Sequence, residues 1–225
     1  MKALLFDVFG TCVDWRTTVI RAGEELGIAD AAALADAWRA RYQPQLDTVR
    51  SGAREWTNLD VLHREALDDV LDELRVDMPA DERDRFAFVW HRLDPWPDTV
   101  EGLTRVKREH IIAPVSNGHI ALIVDMARHA GLPWDAVLGA ELARAYKPAP
   151  EVYLASVAAL GLEPHDAAMV AAHNGDLEAA QALGFKTAFV RRPTEHGPGQ
   201  TTDLEPAGEY DLVAEDLIDL AQQLE

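Results

Sequence analysis

The feature that most limits the fold is a change of rhythm along the chain. One short apolar run, "ALLFD" at residues 3–7, opens it. From Trp15 to Leu93 the apolar residues then recur every three or four positions, as at Val61, Leu62, Ala66, Leu67, Val70, Leu71 and Leu74. That spacing keeps one face of a helix dry. After "DPWPD" (94–98), strand-length apolar runs alternate with helical stretches, beginning with "IIAPVSNG", "IALIVDMARHAG" and "WDAVLGA" and continuing through "KTAFV" and "YDLVAE". Runs that are apolar throughout belong to strands buried on both faces, and strands alternating with helices form a parallel sheet. The expected class is α/β. Residues 1–14 and 95–225 build the core, and residues 15–94 form an inserted all-helical cap.

The chain has 225 residues, 48% of them hydrophobic, enough for one large domain with a substantial insert. Its net charge of −18 repels nucleic acid and anionic membranes, so neither is an expected partner. A small anion binds only where a few basic side chains override that field. The lone cysteine, Cys12, allows no intramolecular disulfide and points to a reducing compartment. With no base near it in sequence, Cys12 reads as a small packed apolar residue. The stretch before Asp7 is too short for a signal peptide, no apolar run is long enough for a membrane span, and the expected location is cytoplasmic. Acidic helical faces such as "LDDVLDEL" are solvated surface, although paired cap helices also offer a seam for a homodimer.

In open α/β sheets, functional groups gather beyond the carboxyl ends of the strands. Those places hold Asp7, then Ser116 and Asn117, then Lys147, then His173, Asn174 and Asp176. Singly, each has an ordinary explanation: an aspartate caps a turn, a Ser-Asn pair caps a helix, and "KPAPEVY" is a helix entry with prolines in its first turn. Their joint placement on one rim is what points to a site.

The order D-x-x-G-T on the first strand, S-N on a later one, K-P before a helix, and D-x-x-A-A after another strand resembles the haloacid dehalogenase superfamily. The four segments span the chain. The resemblance implies a Rossmann-like core with Asp7 as covalent nucleophile, Thr11 and Ser116 as oxygen-binding hydroxyls, and Lys147 as the countercharge to Asp7. Most members are magnesium-dependent phosphatases, which need a proton donor for the leaving alkoxide and a metal to gather phosphate charge. They keep the donor two residues after the nucleophile, where this chain has Phe9, and an acid where it has Ala172. A halide leaves carbon without needing a proton or a metal.

The chain therefore resembles the type II L-2-haloacid dehalogenases, which implies a small anionic 2-haloacid as substrate and no cofactor or metal. The resemblance also implies substrate carboxylate contacts from Ser116 and the backbone at Val8 and Phe9, with the halide held by Arg39 and Asn117. Arg41 competes with Arg39 from another face of the same helix. Tyr153 pairs with Lys147, or is a core tyrosine. The last motif departs from the S-S-N-x-x-D of better-known members, reading Ala171-Ala172-His173-Asn174-Gly175-Asp176. His173 either joins Asp176 in positioning the hydrolytic water or is structural, imidazole's ability to orient water near neutral pH favouring the first, and Asn174 is a candidate substrate-binding residue. Two rival readings stand beside this one: a magnesium-dependent phosphatase, and a catalytically silent relative that binds an anion or a protein.

Overall fold

The structure is a computed structural model describing residues 1–225. Six parallel strands form the main sheet: β1 (Ala3–Phe6), β4 (Ile111–Ser116), β5 (Leu138–Gly139), β6 (Ala167–Ala171), β7 (Lys186–Val190) and β8 (Leu212–Ala214), in the order β5-β4-β1-β6-β7-β8. β1 lies at the centre, with Leu5 opposite Ala113 on one side and Met169 on the other. Its four residues are wholly buried and divide by parity. Leu4 and Phe6 join one apolar core, while Ala3 and Leu5 join a second across the sheet. This two-sided burial is why the strand is apolar at every position. The class expected from the sequence, a parallel α/β core, is the class observed.

After β1 the chain makes a second, two-stranded antiparallel pairing, β2 (Val13–Asp14) with β3 (Asp94–Pro95). Between these strands lie four helices: α1 (Trp15–Glu25), α2 (Ala31–Arg50), α3 (Leu59–Leu74) and α4 (Ala80–Ala87). The chain thus leaves and re-enters at adjacent points. Polar side chains set the starts of three of these helices. Asp14, Asp30 and Asn58 accept from the backbone N–H of Thr17, Ala33 and Val61, each replacing a partner the first turn lacks.

The sequence period predicts one helix through "DERDRFAFVWHRL", but α4 stops at Ala87 and a 3-10 turn, Phe88–Arg92, follows. Val89, Trp90 and His91 are all buried there. Three consecutive buried residues between the exposed Phe88 and Arg92 do not fit the single dry stripe of a 3.6-residue period. Beyond β3 run α5 (Thr99–Val106), α6 (Ile120–Ala130), the short α7 (Ala140–Ala143), α8 (Pro150–Ala159), α9 (Asn174–Ala182) and α10 (Leu217–Leu224). No helix is long and apolar enough to cross a membrane.

Candidate active site

Asp7 directly follows β1 and is almost wholly buried. Its backbone N–H still bonds Val170 of β6, so the side chain is aimed by the sheet itself. Thr11 Oγ1 donates to Asp7 Oδ2 at 2.8 Å and accepts from the Ala172 N–H at 2.9 Å. Lys147, from the loop between α7 and α8, donates to Asp7 Oδ1 at 2.8 Å and to Asp176 Oδ2 at 2.5 Å. Tyr153 of α8 donates to Asp176 Oδ1 at 2.5 Å. His173, at the end of β6, places Nδ1 3.2 Å from Asp7 Oδ2 and Nε2 2.8 Å from Glu195 Oε2.

Burial alone would raise the Asp7 carboxyl, but the Lys147 charge and the His173 hydrogen bond outweigh it and hold Asp7 below the usual carboxylate range. Lys147 is itself held above the usual lysine range: burial opposes this, and the Asp176 and Asp7 charges overcome it. Asp176 moves upward because burial and the Asp7 charge together exceed the pull of Lys147. His173 also loses charge to burial, yet the Glu195 charge and the hydrogen bonds to Asp7 and Glu195 hold it well above its ordinary value. Geometry gives the same answer. Both ring nitrogens face carboxylate oxygens, and only an imidazolium has an N–H for each.

These groups open on a cavity of about 690 Å³ lined by Asp7, Phe9, Arg39, Asn117, Lys147 and His173, among others. Phe9 packs edge-on against Trp90 and supplies an apolar wall. Arg39 of α2 stands with its guanidinium carbon 4.2 Å over the Tyr42 ring and 5.5 Å over Trp15. It forms no ion pair, and its buried Nε has no partner. Arg41, its competitor, points to the outer surface and pairs with Glu73. Asn117 donates to the Tyr42 hydroxyl at 3.1 Å and accepts from the Lys147 N–H at 2.7 Å.

Several residues singled out in the sequence stand elsewhere. Ser116 is fully buried and its hydroxyl accepts from the Gly118 N–H, away from the cavity lining. Thr11 reaches Asp7 but not the cavity, and the Val8 side chain is in the core. Asn174 needs the clearest correction. Its amide donates to Asp203 Oδ1 and the Glu205 carbonyl and accepts from the Ala207 N–H and the Tyr210 hydroxyl. With all its bonding capacity spent on the 203–210 loop, it has none left for a substrate. Cys12 is buried and free, its thiol raised chiefly by burial.

Glu195 was not anticipated. It follows β7 in "RRPTEHGPGQ", is 1% exposed, and accepts from Trp15 Nε1 as well as from His173. Its position past another strand's carboxyl end was the available signal. The irregular loop, with no period to fix which residue turns inward, hid it. Gly10 makes room for it: with φ at +82°, a Cβ there would lie 2.1 Å from Glu195 Oε1.

Asp176 has both oxygens occupied by Lys147 and Tyr153, and Ala172 offers no side-chain oxygen. This donor set does not fit the magnesium ion of phosphate-transferring relatives, which needs oxygen ligands.

A parallel α/β sheet bearing a buried aspartate–lysine–histidine group at its strand ends, beneath a helical block that contributes an unpaired arginine, defines a class of small-molecule enzyme. Residues 1–184 match the family of haloacid dehalogenase-like hydrolases, and the chain belongs to that family. It is similar to the crystal structure of a defluorinating L-2-haloacid dehalogenase, 52% identical with a TM-score of 0.97, covering 100% of this chain and 95% of that one. A second L-2-haloacid dehalogenase structure is 47% identical, also at TM-score 0.97, covering 100% and 98%. The (S)-2-haloacid dehalogenase 4A of Burkholderia cepacia is 29% identical over 195 residues, 85% of this chain and 84% of that protein.

Proposed function

We infer that this chain is a hydrolase acting on carbon–halogen bonds, converting short 2-haloalkanoic acids to 2-hydroxy acids. The observation that carries the reading is the pairing, in one cavity, of a carboxylate held ionised by Lys147 with a cation, Arg39, that has no carboxylate partner of its own. A negative nucleophile and an unneutralised cation facing one space suit a displacement in which negative charge passes from an entering oxygen to a departing anion.

In this reading Asp7 attacks C2 from the side opposite the halogen, forming an ester and inverting the centre. Fixed alignment and loss of hydration supply the reactivity a carboxylate lacks in water, effects that reach several kcal/mol in oriented systems. Arg39 and Asn117 receive the halide, and the backbone N–H groups of Val8 and Phe9, which no carbonyl of the chain occupies, receive the substrate carboxylate. Whichever Asp7 oxygen attacks, the other becomes the ester carbonyl with a donor in place: Thr11 and His173 at Oδ2, Lys147 at Oδ1. Water adding to that carbonyl builds charge where those donors point. His173, already protonated, acts as a donor there and not as the base. Asp176, held beside Lys147, is the group that takes the water's proton.

The same reading divides the chain into a core of residues 1–14 and 95–225 and a cap of 15–94, supported by the β2–β3 pairing at the crossing. It places the enzyme in the cytoplasm, in keeping with the unpaired Cys12. A homodimer seated on the cap is part of it, and sedimentation would report one. The reaction itself is tested by halide release from chloroacetate and L-2-chloropropionate in EDTA, followed by one turnover in oxygen-18 water. Release lost in Asp7→Asn, with the label entering Asp7, is expected; label appearing first in the hydroxy acid would overturn the ester route.

A further inference from the structure

Away from the Asp7 cavity, four titratable side chains from three segments meet. Asp60 lies in the first turn of α3, His91 in the 3-10 turn Phe88–Arg92, His119 immediately before α6, and Asp125 within α6. His91 Nε2 is 2.8 Å from Asp60 Oδ1, and His119 Nε2 is 3.3 Å from Asp60 Oδ2. One ligating atom from each of Asp60, His91 and His119 falls within 4.8 Å of the others. None of the four lines the Asp7 cavity, and the reaction proposed above makes no use of them.

We propose that Asp60, His91 and His119 are a binding site for a zinc-like divalent cation that ties helix α3 to helix α6. Two imidazoles and one carboxylate, with a fourth position left for water, are a donor set that suits zinc, and imidazole discriminates against magnesium and calcium. The spacing is right for it. Bonds of about 2.0–2.1 Å in a tetrahedron put neighbouring ligand atoms about 3.3 Å apart. The imidazoles meet different Asp60 oxygens at 2.8 and 3.3 Å, and with one atom from each residue within 4.8 Å of the others a small side-chain adjustment brings the three onto one ion.

An outer partner is also present. Asp125 Oδ2 lies 2.9 Å from His91 Nδ1, so Nδ1 keeps a proton and Nε2 is directed at the site, the carboxylate–histidine–metal arrangement that orients ligands and raises their basicity. His119 is 4% exposed, and its Nδ1 has no hydrogen-bond partner. A buried imidazole with one nitrogen unsatisfied is held only through Nε2, the atom that faces Asp60. The cation would take the place of the proton that His91 Nε2 shares with Asp60, and two carboxylates would balance its charge. Asp60 is partly exposed, which leaves a way in from solvent.

The test is a calorimetric titration of chelator-treated full-length protein with Zn²⁺, and a visible-spectrum titration with Co²⁺. One Zn²⁺ per chain is expected, with a tetrahedral Co²⁺ band and X-ray absorption showing two imidazole ligands. Asp60→Asn and His119→Ala, checked for folding by circular dichroism, should each weaken binding about 100-fold or more. Asp125→Asn should weaken it about 10–100-fold, and Asp7→Asn should bind as the parent does. Because His119→Ala removes a buried ring, the milder Asp60→Asn keeps the test decisive if the former unfolds. Absence of stoichiometric Zn²⁺ binding, or binding that Asp60→Asn leaves unchanged, overturns the proposal.

Discussion

Glu195 accepts from His173 Nε2 at 2.8 Å from a position only 1% exposed to solvent, and so fixes the charge of the ring that faces Asp7. The imidazolium shares its two protons between a candidate nucleophile and a carboxylate some twenty residues away on a different loop. When Asp7 becomes an ester it loses its charge, and Glu195 alone then keeps His173 protonated while water attacks.

Glu195→Gln should therefore shift the pH profile more than it lowers the peak rate. His173 is raised above 6.5 in the folded protein. Its stabilising contribution is complete below that value and is lost as pH rises through the folded one. Without the Glu195 charge the folded value falls, so the alkaline limb of kcat should move toward neutrality. At pH 6 parent and variant should be close; at pH 8 the variant should be slower, by about tenfold for each unit its folded value lies below that pH. A profile between pH 5.5 and 9 checks this, and superimposable limbs would contradict it.

Lys147→Met should destabilise the protein by about 3–5 kcal/mol at pH 7, because it leaves two carboxylates, Asp7 and Asp176, buried without their shared cation. The sign with pH is opposite to that of His173. Asp7 is depressed below 3.8 in the parent, so its contribution is present above 3.8 and is lost as pH falls through the folded value. In the variant Asp7 takes up its proton at higher pH. The stability gap should narrow between pH 7 and pH 4.5, as urea unfolding at the two values would show.

Arg39 and Arg41 are two residues apart on α2 and should behave oppositely. Arg39→Met removes the cavity's unpaired cation and should lower kcat by about 10²–10³-fold, the scale for losing one preorganised charge donor. Arg41→Ala breaks an exposed pair with Glu73 and should cost less than about 1 kcal/mol and leave kcat unaltered. Steady-state chloroacetate turnover with both variants decides the matter.

The sequence shows the sheet and the groups at its strand ends because both follow from period: burial on two faces makes a strand apolar throughout, and the first polar residue after it sits on the rim. Asp7, Asn117 and His173 are of that kind, Asp176 follows in the first turn of the next helix and Lys147 in the loop after α7, and the chain brings all five together. Asn174 is misread because rim position does not say which way a side chain at a helix start turns; the 203–210 loop claims it. Ser116 turns inward for a similar local reason, its hydroxyl closing the turn to Gly118. Glu195 and the Asp60–His91–His119 group depend on contacts between segments distant in sequence, and no local pattern encodes those.

Gly10 carries the last prediction, because the D-x-x-G-T turn and Glu195 occupy one another's space. At φ +82°, a left-handed backbone, an added Cβ would meet Glu195 Oε1 at 2.1 Å and Oε2 at 2.7 Å. Gly10→Ala carries a backbone penalty of about 1–2 kcal/mol and forces the Glu195 carboxylate off His173 and Trp15. It should therefore lower stability and reproduce the alkaline shift of Glu195→Gln. The double variant Gly10→Ala with Glu195→Ala separates the two effects. Removing the carboxylate relieves the clash, so its kcat should match that of Glu195→Ala alone, while the backbone penalty in urea unfolding remains. Residues acting through one contact are not additive. Fully additive losses in kcat would mean that Gly10 serves the turn at Asp7 and not the approach of Glu195.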